Sequence, residues 1–354
     1  MKNALLVYNP TSGSASGPEL WLGALVHKLS TTGGYNVLVS STTRQTTADN
    51  ILHSVYQVES TSDGDSASLI NKVENLDLIV AAGGDGTVRM LLHAVASHNL
   101  QIPIGIVPMG TGNLLARNLK IYEDNILIDQ LDRSINIILK GKPQSIDLGI
   151  MNGQYFAAAA GVGPLSDAII APDRRDKETW KMLAYASSMM QTLTESPVLF
   201  DITADGESFR VPATGIFITN IADLGVGTLS DTASMHDGLL DLCILSPREF
   251  GDYVNYGFHF ATPINAMTGG KAPYYVRKVK SVKIQAVKRI KPLGLLEAGI
   301  SKIKSALGGK KQSPVTSDKL KAMIDGDAWG TTPIDIKIAP SAVRVLIAQE
   351  QEAL

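Results

Sequence analysis

Three glycine-rich loops, each directly after a short apolar run, constrain the fold of this chain more than any other feature. The loops are NPTSG (9–13), GGDGT (83–87) and PMGTGN (108–113). The preceding runs at 4–8, 76–82 and 103–107 have the apolar character of strands, and helical periodicity follows the first two loops. Strands that alternate with helices are typical of a parallel sheet, whose loops gather at the carboxyl ends of the strands. We therefore predict an α/β domain with a ligand site at that edge.

The pattern of the chain changes after its first third. Asn152-Gly153 and Asp205-Gly206 each separate two short runs with strand character, which is a strong signal for a two-residue hairpin turn. Later runs alternate apolar and polar residues as antiparallel strands do, whereas 177–195 has the pattern of a helix. A chain of 354 residues has room for two domains. We therefore predict a second domain that is mostly antiparallel β.

The three loops favour a phosphorylated ligand. Glycines let bare backbone N–H groups approach phosphate oxygens, and helix N-termini add a positive potential. Asp85 does not fit this positive environment, because a carboxylate among donors for phosphate would repel the ligand unless it holds Mg²⁺ or takes a proton. No G-x-x-x-x-G-K-[ST] occurs, and no G-x-G-x-x-G follows the first strand. The sequence therefore predicts a phosphate site of a different kind, with Asp85 taking part in its chemistry.

Charge and cysteine content exclude several classes of protein. Lys plus Arg (32) nearly balance Asp plus Glu (34), so no overall field attracts nucleic acid. The single cysteine, Cys243, excludes an internal disulfide framework and a cysteine-built metal site. No apolar stretch approaches the ~20 residues that span a bilayer, and the apolar run near the start is too short for a signal peptide. We expect a cytoplasmic protein that is soluble or lies on a membrane surface.

A basic segment departs from this charge balance. Residues 285–322 contain nine Lys or Arg against two acids, a net charge of +7. Within the segment, Leu296, Ile300, Ile303 and Leu307 form one helical stripe. A basic amphipathic helix can lie on an anionic membrane with its apolar side down. An ordinary helix packed on the second domain explains the pattern equally well, so both interpretations stay open.

The ordered motifs NPTSG, GGDGT and PMGTGNLLARNL resemble the diacylglycerol kinase catalytic domain family of lipid kinases. The resemblance covers most of the chain outside the basic segment and continues through DLG (147–149), AAGVG (159–163), HDGLLDL (236–242) and IDGD (324–327). It implies an α/β ATP-binding domain with a parallel sheet over 1–130, to which 339–354 returns. It also implies a mainly antiparallel β-sandwich domain for the lipid substrate over 131–338, with 285–322 as a basic insert.

Carried over residue by residue, the resemblance implies that the three loops bind ATP. Thr42 is expected to join them, with Thr43 as the alternative. The expected ATP contacts are Asn9, Pro10, Thr11, Ser12, Gly13, Thr42, Gly83, Gly84, Asp85, Gly86, Thr87, Val88, Arg89, Gly110, Thr111 and Asn113.

The resemblance also implies a magnesium site and a proton acceptor. The magnesium site, made partly of backbone carbonyls, falls on Ser234, Asp237 and Leu239. Asp85 is expected to organise metal and phosphate. Asp325 or Asp327 is expected to accept the proton of the lipid hydroxyl, and the choice between them stays open because the family usually has Glu at the second position.

The activity that the resemblance implies is an ATP-dependent phosphorylation of diacylglycerol to phosphatidic acid, with Mg²⁺ as cofactor. Arg89-Met90 and Asn113-Leu114-Leu115 depart from the residues that many members have there. A sphingoid base or another lipid alcohol is therefore the alternative acceptor, and a nucleotide-binding regulator without catalysis is the third hypothesis. The expected partner is lipid at an anionic membrane surface, with peripheral attachment, and a homodimer is left open.

Overall fold

The computed structural model describes residues 2–12, 18–52, 75–123, 129–166, 197–225, 227–248, 251–252, 255–256, 272–289 and 319–349. The chain divides into two compact units, of which unit 1 comprises 1–148 with 340–354 and unit 2 comprises 149–339. The helix expected at 177–195 and the middle of the basic segment, 290–318, lie outside the described residues. Of the helices that are described, none combines the length and apolar character needed to cross a bilayer.

The sheet of unit 1 is parallel and has the strand order β2-β1-β3-β4-β16. Its strands are β1 (Lys2–Tyr8), β2 (Tyr35–Ser41), β3 (Leu78–Gly83), β4 (Ile104–Pro108) and the end of β16 (Ile334–Ile347). Every residue of β3 and β4 is buried, as expected for central strands that are covered on both faces. Strand β16 joins the sheet through Val345, which pairs with Ile104. The α/β prediction with a parallel sheet is confirmed.

Helices pack on this sheet, and the last of them extends unit 1 beyond residue 130. The described helices are α1 (Pro18–Thr31), α2 (Ala48–Ile51), α3 (Asp85–Ser97), α4 (Leu114–Asn118) and α5 (Gln130–Lys140). The carboxylate of Asp129 caps α5 by accepting the N–H groups of Leu131 and Asp132. Because α5 then packs on β4, the units divide between Leu148 and Gly149 rather than at residue 130.

Unit 2 consists of two antiparallel sheets that share one hydrophobic core. One sheet has the order β16-β13-β8-β9, and the other has the order β12-β11-β10-β7-β14-β15. The further strands are β5 (Lys142–Met151), β6 (Gln154–Phe156), β7 (Ala159–Val162), β8 (Val198–Ala204), β9 (Glu207–Ala213), β10 (Gly215–Thr219), β11 (Leu240–Leu245), β12 (Tyr275–Val279), β13 (Ser281–Arg289), β14 (Lys321–Ile324) and β15 (Asp327–Thr331). Phe200 and Ile284 of the first sheet pack in the same core as Ile218 and Ile324 of the second. The prediction of a mainly antiparallel sandwich is confirmed.

Three hairpins of unit 2 close with the same two-residue turn. Asn152-Gly153 and Asp205-Gly206 have φ values of 48° and 87° and of 47° and 86°, which confirms both predicted turns. Asp325-Gly326 has φ values of 49° and 83° and forms the same turn between β14 and β15. Asp325, a candidate proton acceptor, is therefore also a turn residue.

Gly149 of β5 provides a test of the packing around the β5–β6 hairpin. It pairs with Phe156, and a Cβ atom at Gly149 would overlap the buried ring. We expect Gly149→Ala to lower the free energy of unfolding by about 1–3 kcal/mol, because an overpacked core must distort. Gly23 in α1 is the matched control, since a Cβ there has no neighbour within 4 Å. Gly23→Ala should instead raise the free energy of unfolding by about 0.5–1 kcal/mol. Chemical denaturation measures both values, and a Gly149→Ala protein as stable as the wild type would contradict this packing.

Candidate functional site

The loops of unit 1 meet at the carboxyl edge of its sheet. The Asn9 N–H donates to the carbonyl of Ala82 in β3 (3.1 Å), and the Thr42 N–H donates to the carbonyl of Tyr8 in β1 (2.8 Å). The N–H of Met109, which follows β4, bonds to the last carbonyl of β3 (2.9 Å). These bonds extend the parallel pairing beyond the strands. They bring together the segments 9–12, 42–43, 84–87 and 109–113, as the sequence predicted.

Glycines let the second and third loops touch through their backbones. A Cβ atom on Gly110 would lie 2.5 Å from the Cα of Gly84 and would push the two loops apart. A Cβ atom on Gly112 would lie 2.7 Å from Oδ2 of Asp85. At these positions glycine is required for close approach, not for a positive φ.

The carboxylate of Asp85 ties the same two loops together. Its Oδ2 accepts the N–H of Asn113 (2.9 Å), and its Oδ1 accepts the N–H of Leu114 (2.6 Å) at the start of α4. The sequence analysis left only Mg²⁺ or a proton as the reason for an acid in this place. The structure shows a further reason, because backbone donors of the neighbouring loop satisfy the carboxylate.

Asn113 builds the turn that presents those donors. Its backbone is left-handed, with φ of 51°, a conformation that Asn tolerates better than most residues. Its side-chain Oδ1 accepts the N–H of Gly110 (3.0 Å), and its Nδ2 donates to the carbonyl of Gly110 (2.8 Å). The side chain is buried and bonds within the loop through both its oxygen and its nitrogen, so Asn113 shapes the candidate ATP site.

Among the backbone N–H groups at this edge, those of Gly86, Thr111 and Gly112 donate to no other described residue, and none of these residues is buried. Gly86 lies in the first turn of α3, whose N-cap residue Gly84 offers no side-chain acceptor. Unpaired N–H groups at a helix N-terminus and in a glycine-rich loop form an anion site, because they point toward the ligand with partial positive charge.

The remaining residues of the second loop differ in how far they are buried. Thr87 and Val88 are buried, and the side chain of Thr87 packs against Gly83, so these residues face the core. Arg89 is half-buried.

The first loop is held by an Asn side chain. Oδ1 of Asn9 accepts both the N–H (2.9 Å) and the hydroxyl (2.8 Å) of Thr11, and the Ser12 N–H donates to the Asn9 carbonyl (3.1 Å). Pro10 lies within this turn, whereas Gly13 is outside the described residues.

The contacts of the two candidate threonines favour Thr42. The hydroxyl of Thr43 accepts the Gln45 N–H (3.2 Å) and contacts the hydroxyl of Thr46 (3.3 Å). The hydroxyl of Thr42 is half-buried and bonds to no described residue. Thr42 is therefore the residue with a hydroxyl available to a ligand.

Arg117 of α4 is a residue that the sequence analysis missed. Its Nε donates to the carbonyl of Gly112 (2.8 Å), and its guanidinium lies 5.1 Å from the ring centroid of Tyr122. A fixed positive charge beside the third loop favours an anionic ligand. The four-residue distance from Asn113 within PMGTGNLLARNL was the available signal, because α4 begins directly after the loop.

The remaining candidate residues belong to unit 2, where Asp325 and Asp327 have different surroundings. Oδ1 of Asp325 accepts the N–H groups of Ala158 (2.8 Å) and Ala159 (3.1 Å), and Oδ2 accepts that of Ala157 (3.1 Å). Asp327 is exposed at the start of β15. The carboxylate of Asp325 therefore anchors the entry to β7, while Asp327 lies at an exposed position.

The residues expected to bind magnesium are engaged with protein groups instead. The Ser234 hydroxyl accepts the N–H of His236 (3.3 Å), and Oδ1 of Asp237 accepts the N–H of Leu239 (3.1 Å). Oδ2 of Asp237 lies 2.7 Å from the ammonium nitrogen of Lys278. No group of three His, Cys, Asp or Glu side chains suited to a metal occurs within the part of the chain that the structure covers. This donor set therefore does not fit Mg²⁺.

Comparisons with known proteins agree with this architecture. Residues 3–151 match the family model of the diacylglycerol kinase catalytic domain. The chain is 29% identical over 256 residues to a protein named diacylglycerol kinase from Bacillus subtilis, covering 72% of this chain and 77% of that one. It is 26% identical over 359 residues to an uncharacterized protein of Synechocystis, and the match covers 99% of this chain and 71% of that protein.

A solved structure shows the same fold. The crystal structure of a diacylglycerol kinase from Bacillus anthracis superimposes with a TM-score of 0.67, covering 98% of this chain and 96% of that one at 18% identity. This likeness concerns the fold, whereas the resemblance that the ordered loop motifs indicated is supported by the sequence matches. Residues 3–151 are therefore similar to the diacylglycerol kinase catalytic domain, and the relatives that match the longer chain at 26–29% identity include one named diacylglycerol kinase.

Proposed function

We propose that this protein is an ATP-dependent lipid kinase that phosphorylates the hydroxyl group of diacylglycerol and releases phosphatidic acid and ADP. The observation that carries the proposal is the set of unpaired N–H groups of Gly86, Thr111 and Gly112 at the carboxyl edge of unit 1. A kinase must first hold the phosphates of its nucleotide, and this edge offers donors that have no acceptor among the described residues.

The electrostatics of the edge support a polyanionic ligand. The N-terminus of α3 carries a partial positive charge, and Arg117 adds a full charge beside the third loop. The negative charge of Asp85 is taken up by the Asn113 and Leu114 N–H groups, so it competes less with a phosphate. We expect Mg²⁺ to arrive with the nucleotide and to neutralise its phosphate charge.

The reaction needs little covalent help from the protein. The lipid hydroxyl oxygen forms a bond to the γ-phosphorus, the bond from that phosphorus to the bridging oxygen of ADP breaks, and the hydroxyl proton passes to a carboxylate. The role of the protein is to align the two oxygens and to supply that carboxylate.

We assign proton acceptance to Asp327 and not to Asp325. A general base needs a lone pair that can reach the substrate proton. The carboxylate of Asp325 already accepts three backbone N–H groups, whereas Asp327 is exposed. Asp325 would then act through the shape of the β14–β15 turn, which positions Asp327.

We further propose that the enzyme works as a peripheral protein at the cytoplasmic surface of an anionic membrane. Residues 290–318 contain five lysines against Glu297 and Asp318, and each basic residue near such a surface contributes about 1 kcal/mol of attraction. Equal co-sedimentation with neutral and anionic vesicles would contradict this proposal.

Gly110 tests the nucleotide site. We expect Gly110→Ala to raise the Kd for a non-hydrolysable ATP analogue about tenfold or more, because separating the two loops misplaces charge-assisted N–H donors worth about 1.5–3 kcal/mol each. Isothermal titration calorimetry measures the Kd, with Gly23→Ala as the control that should bind like the wild type. An unchanged Kd in a folded Gly110→Ala protein would contradict the role of this edge.

The two acids of unit 2 should respond differently to neutralisation. We expect Asp327→Asn to lower kcat about 10²–10⁴-fold, because it removes a positioned base. Asp325→Asn should lower the Tm, because it weakens the anchor of the β7 entry. Labelled ATP with diacylglycerol in mixed micelles, with and without Mg²⁺, measures kcat.

The same assay defines the acceptor. Diacylglycerol, sphingosine and NAD are offered in parallel, and phosphorylation of diacylglycerol is the expected result. Activity of Asp327→Asn within a few-fold of the wild type would refute the assignment of Asp327 as the proton acceptor. Phosphorylation of sphingosine alone would refute the assignment of diacylglycerol as the substrate.

A further inference from the structure

A cluster of charged groups in unit 2 surrounds the ammonium group of Lys278. The nitrogen lies 2.7 Å from Oδ2 of Asp237 and 2.7 Å from the carbonyl oxygen of Thr232. It lies 3.3 Å from Oδ1 of Asp241. An ammonium group has three N–H donors, and three oxygens are within reach of this one.

Asp241 makes this cluster unusual. Its side chain is 1% exposed, and its oxygens accept no hydrogen bond of standard geometry from any residue that the structure describes. Strands β11 and β12 place it directly opposite Lys278. Burial raises the pKa of Asp241, and the charge of Lys278 opposes that rise, with smaller contributions from close contacts of Lys278 and of the Ser230 hydroxyl. The ion pair with Lys278 is therefore the main compensation for this buried carboxylate.

Lys278 is correspondingly held in its charged form. Burial alone would lower its pKa, but the hydrogen bond and charge of Asp237, with the charge of Asp241, outweigh burial and raise the pKa. The cluster thus contains a permanent cation and two acids.

The same groups exclude a magnesium ion from the place where the family resemblance put one. Mg²⁺ needs a nearly octahedral shell of oxygens at about 2.0–2.1 Å. The oxygens of Asp237 are taken by the Leu239 N–H and by Lys278. A divalent ion would have to displace the ammonium, which would leave Lys278 without its acids.

We propose that the ammonium group of Lys278 is the resident cation of this cluster and fastens the segment 230–239 to strands β11 and β12 in place of a divalent metal ion. Thr232 and Asp237 belong to that segment, whereas Asp241 and Lys278 belong to the strands. One side chain therefore joins a loop to the sheet by charge. The inference does not depend on the proposed kinase activity, since it concerns stability and metal binding in the free protein.

The first test removes the charge from the complete chain. We expect Lys278→Met to lower the Tm by about 5–10 °C, because Asp241 remains buried without the cation that compensates its charge. The double variant Lys278→Met with Asp241→Asn should recover much of that loss, and Lys278→Arg should stay near the wild type. Lys283→Met is the matched control, because Lys283 pairs with Asp335 at 3.3 Å in an exposed position and its loss should hardly change the Tm.

The second test measures metal binding without nucleotide and does not require the Met variant to fold. Wild type and Asp237→Asn are titrated with MnCl₂, followed by electron paramagnetic resonance, and with MgCl₂, followed by thermal unfolding. We expect the wild type and Asp237→Asn to give the same MnCl₂ binding isotherm. We also expect Mg²⁺ to shift the Tm of the two proteins by the same amount. Metal binding or stabilisation in the wild type that Asp237→Asn abolishes would overturn it. A Tm of folded Lys278→Met equal to that of Lys283→Met would overturn it as well.

Discussion

The bond between the Asp85 carboxylate and the backbone of residues 113 and 114 is the interaction on which the nucleotide edge depends. Strands β3 and β4 bring their two loops close, but strand pairing ends at Gly83 and Pro108. Beyond that point the loops are held by the contact of Gly84 with Gly110 and by the two hydrogen bonds to Asp85. The acid in this glycine-rich loop therefore has a structural role, whatever its part in the proposed chemistry.

The protein uses the same device in unit 2. Asp205 and Asp325 both stand in Asp-Gly turns, and both carboxylates accept backbone N–H groups of a neighbouring segment. In each case a short acidic side chain satisfies donors that strand pairing leaves open, which stabilises a loop at little entropic cost. Acids that serve this purpose have few lone pairs left for proton transfer. In the proposed reaction we therefore expect the exposed Asp327, next to such an anchor, to act as the base.

The fold could be predicted from the sequence wherever local rules decide it. The apolar runs before the three glycine-rich loops form β1, β3 and β4. Two-residue turns form at Asn152-Gly153 and Asp205-Gly206 because both turn positions need a positive φ, which Asn, Asp and Gly adopt readily. Contacts between distant segments could not be predicted in this way. Lys278 and Asp241 meet because β11 and β12 pair in one register. The alternation of residues along β12 indicates an amphipathic strand, but it does not show which residue lies opposite Lys278.

The central claim is that backbone N–H groups of the second and third loops bind the phosphates of a nucleotide. A crystal structure of the protein with a non-hydrolysable ATP analogue and Mg²⁺ tests it most directly. The account predicts phosphate oxygens about 2.7–3.2 Å from the amide nitrogens of Gly86, Thr111 and Gly112. A nucleotide bound elsewhere, with these three N–H groups bonded to water or to protein, would contradict it.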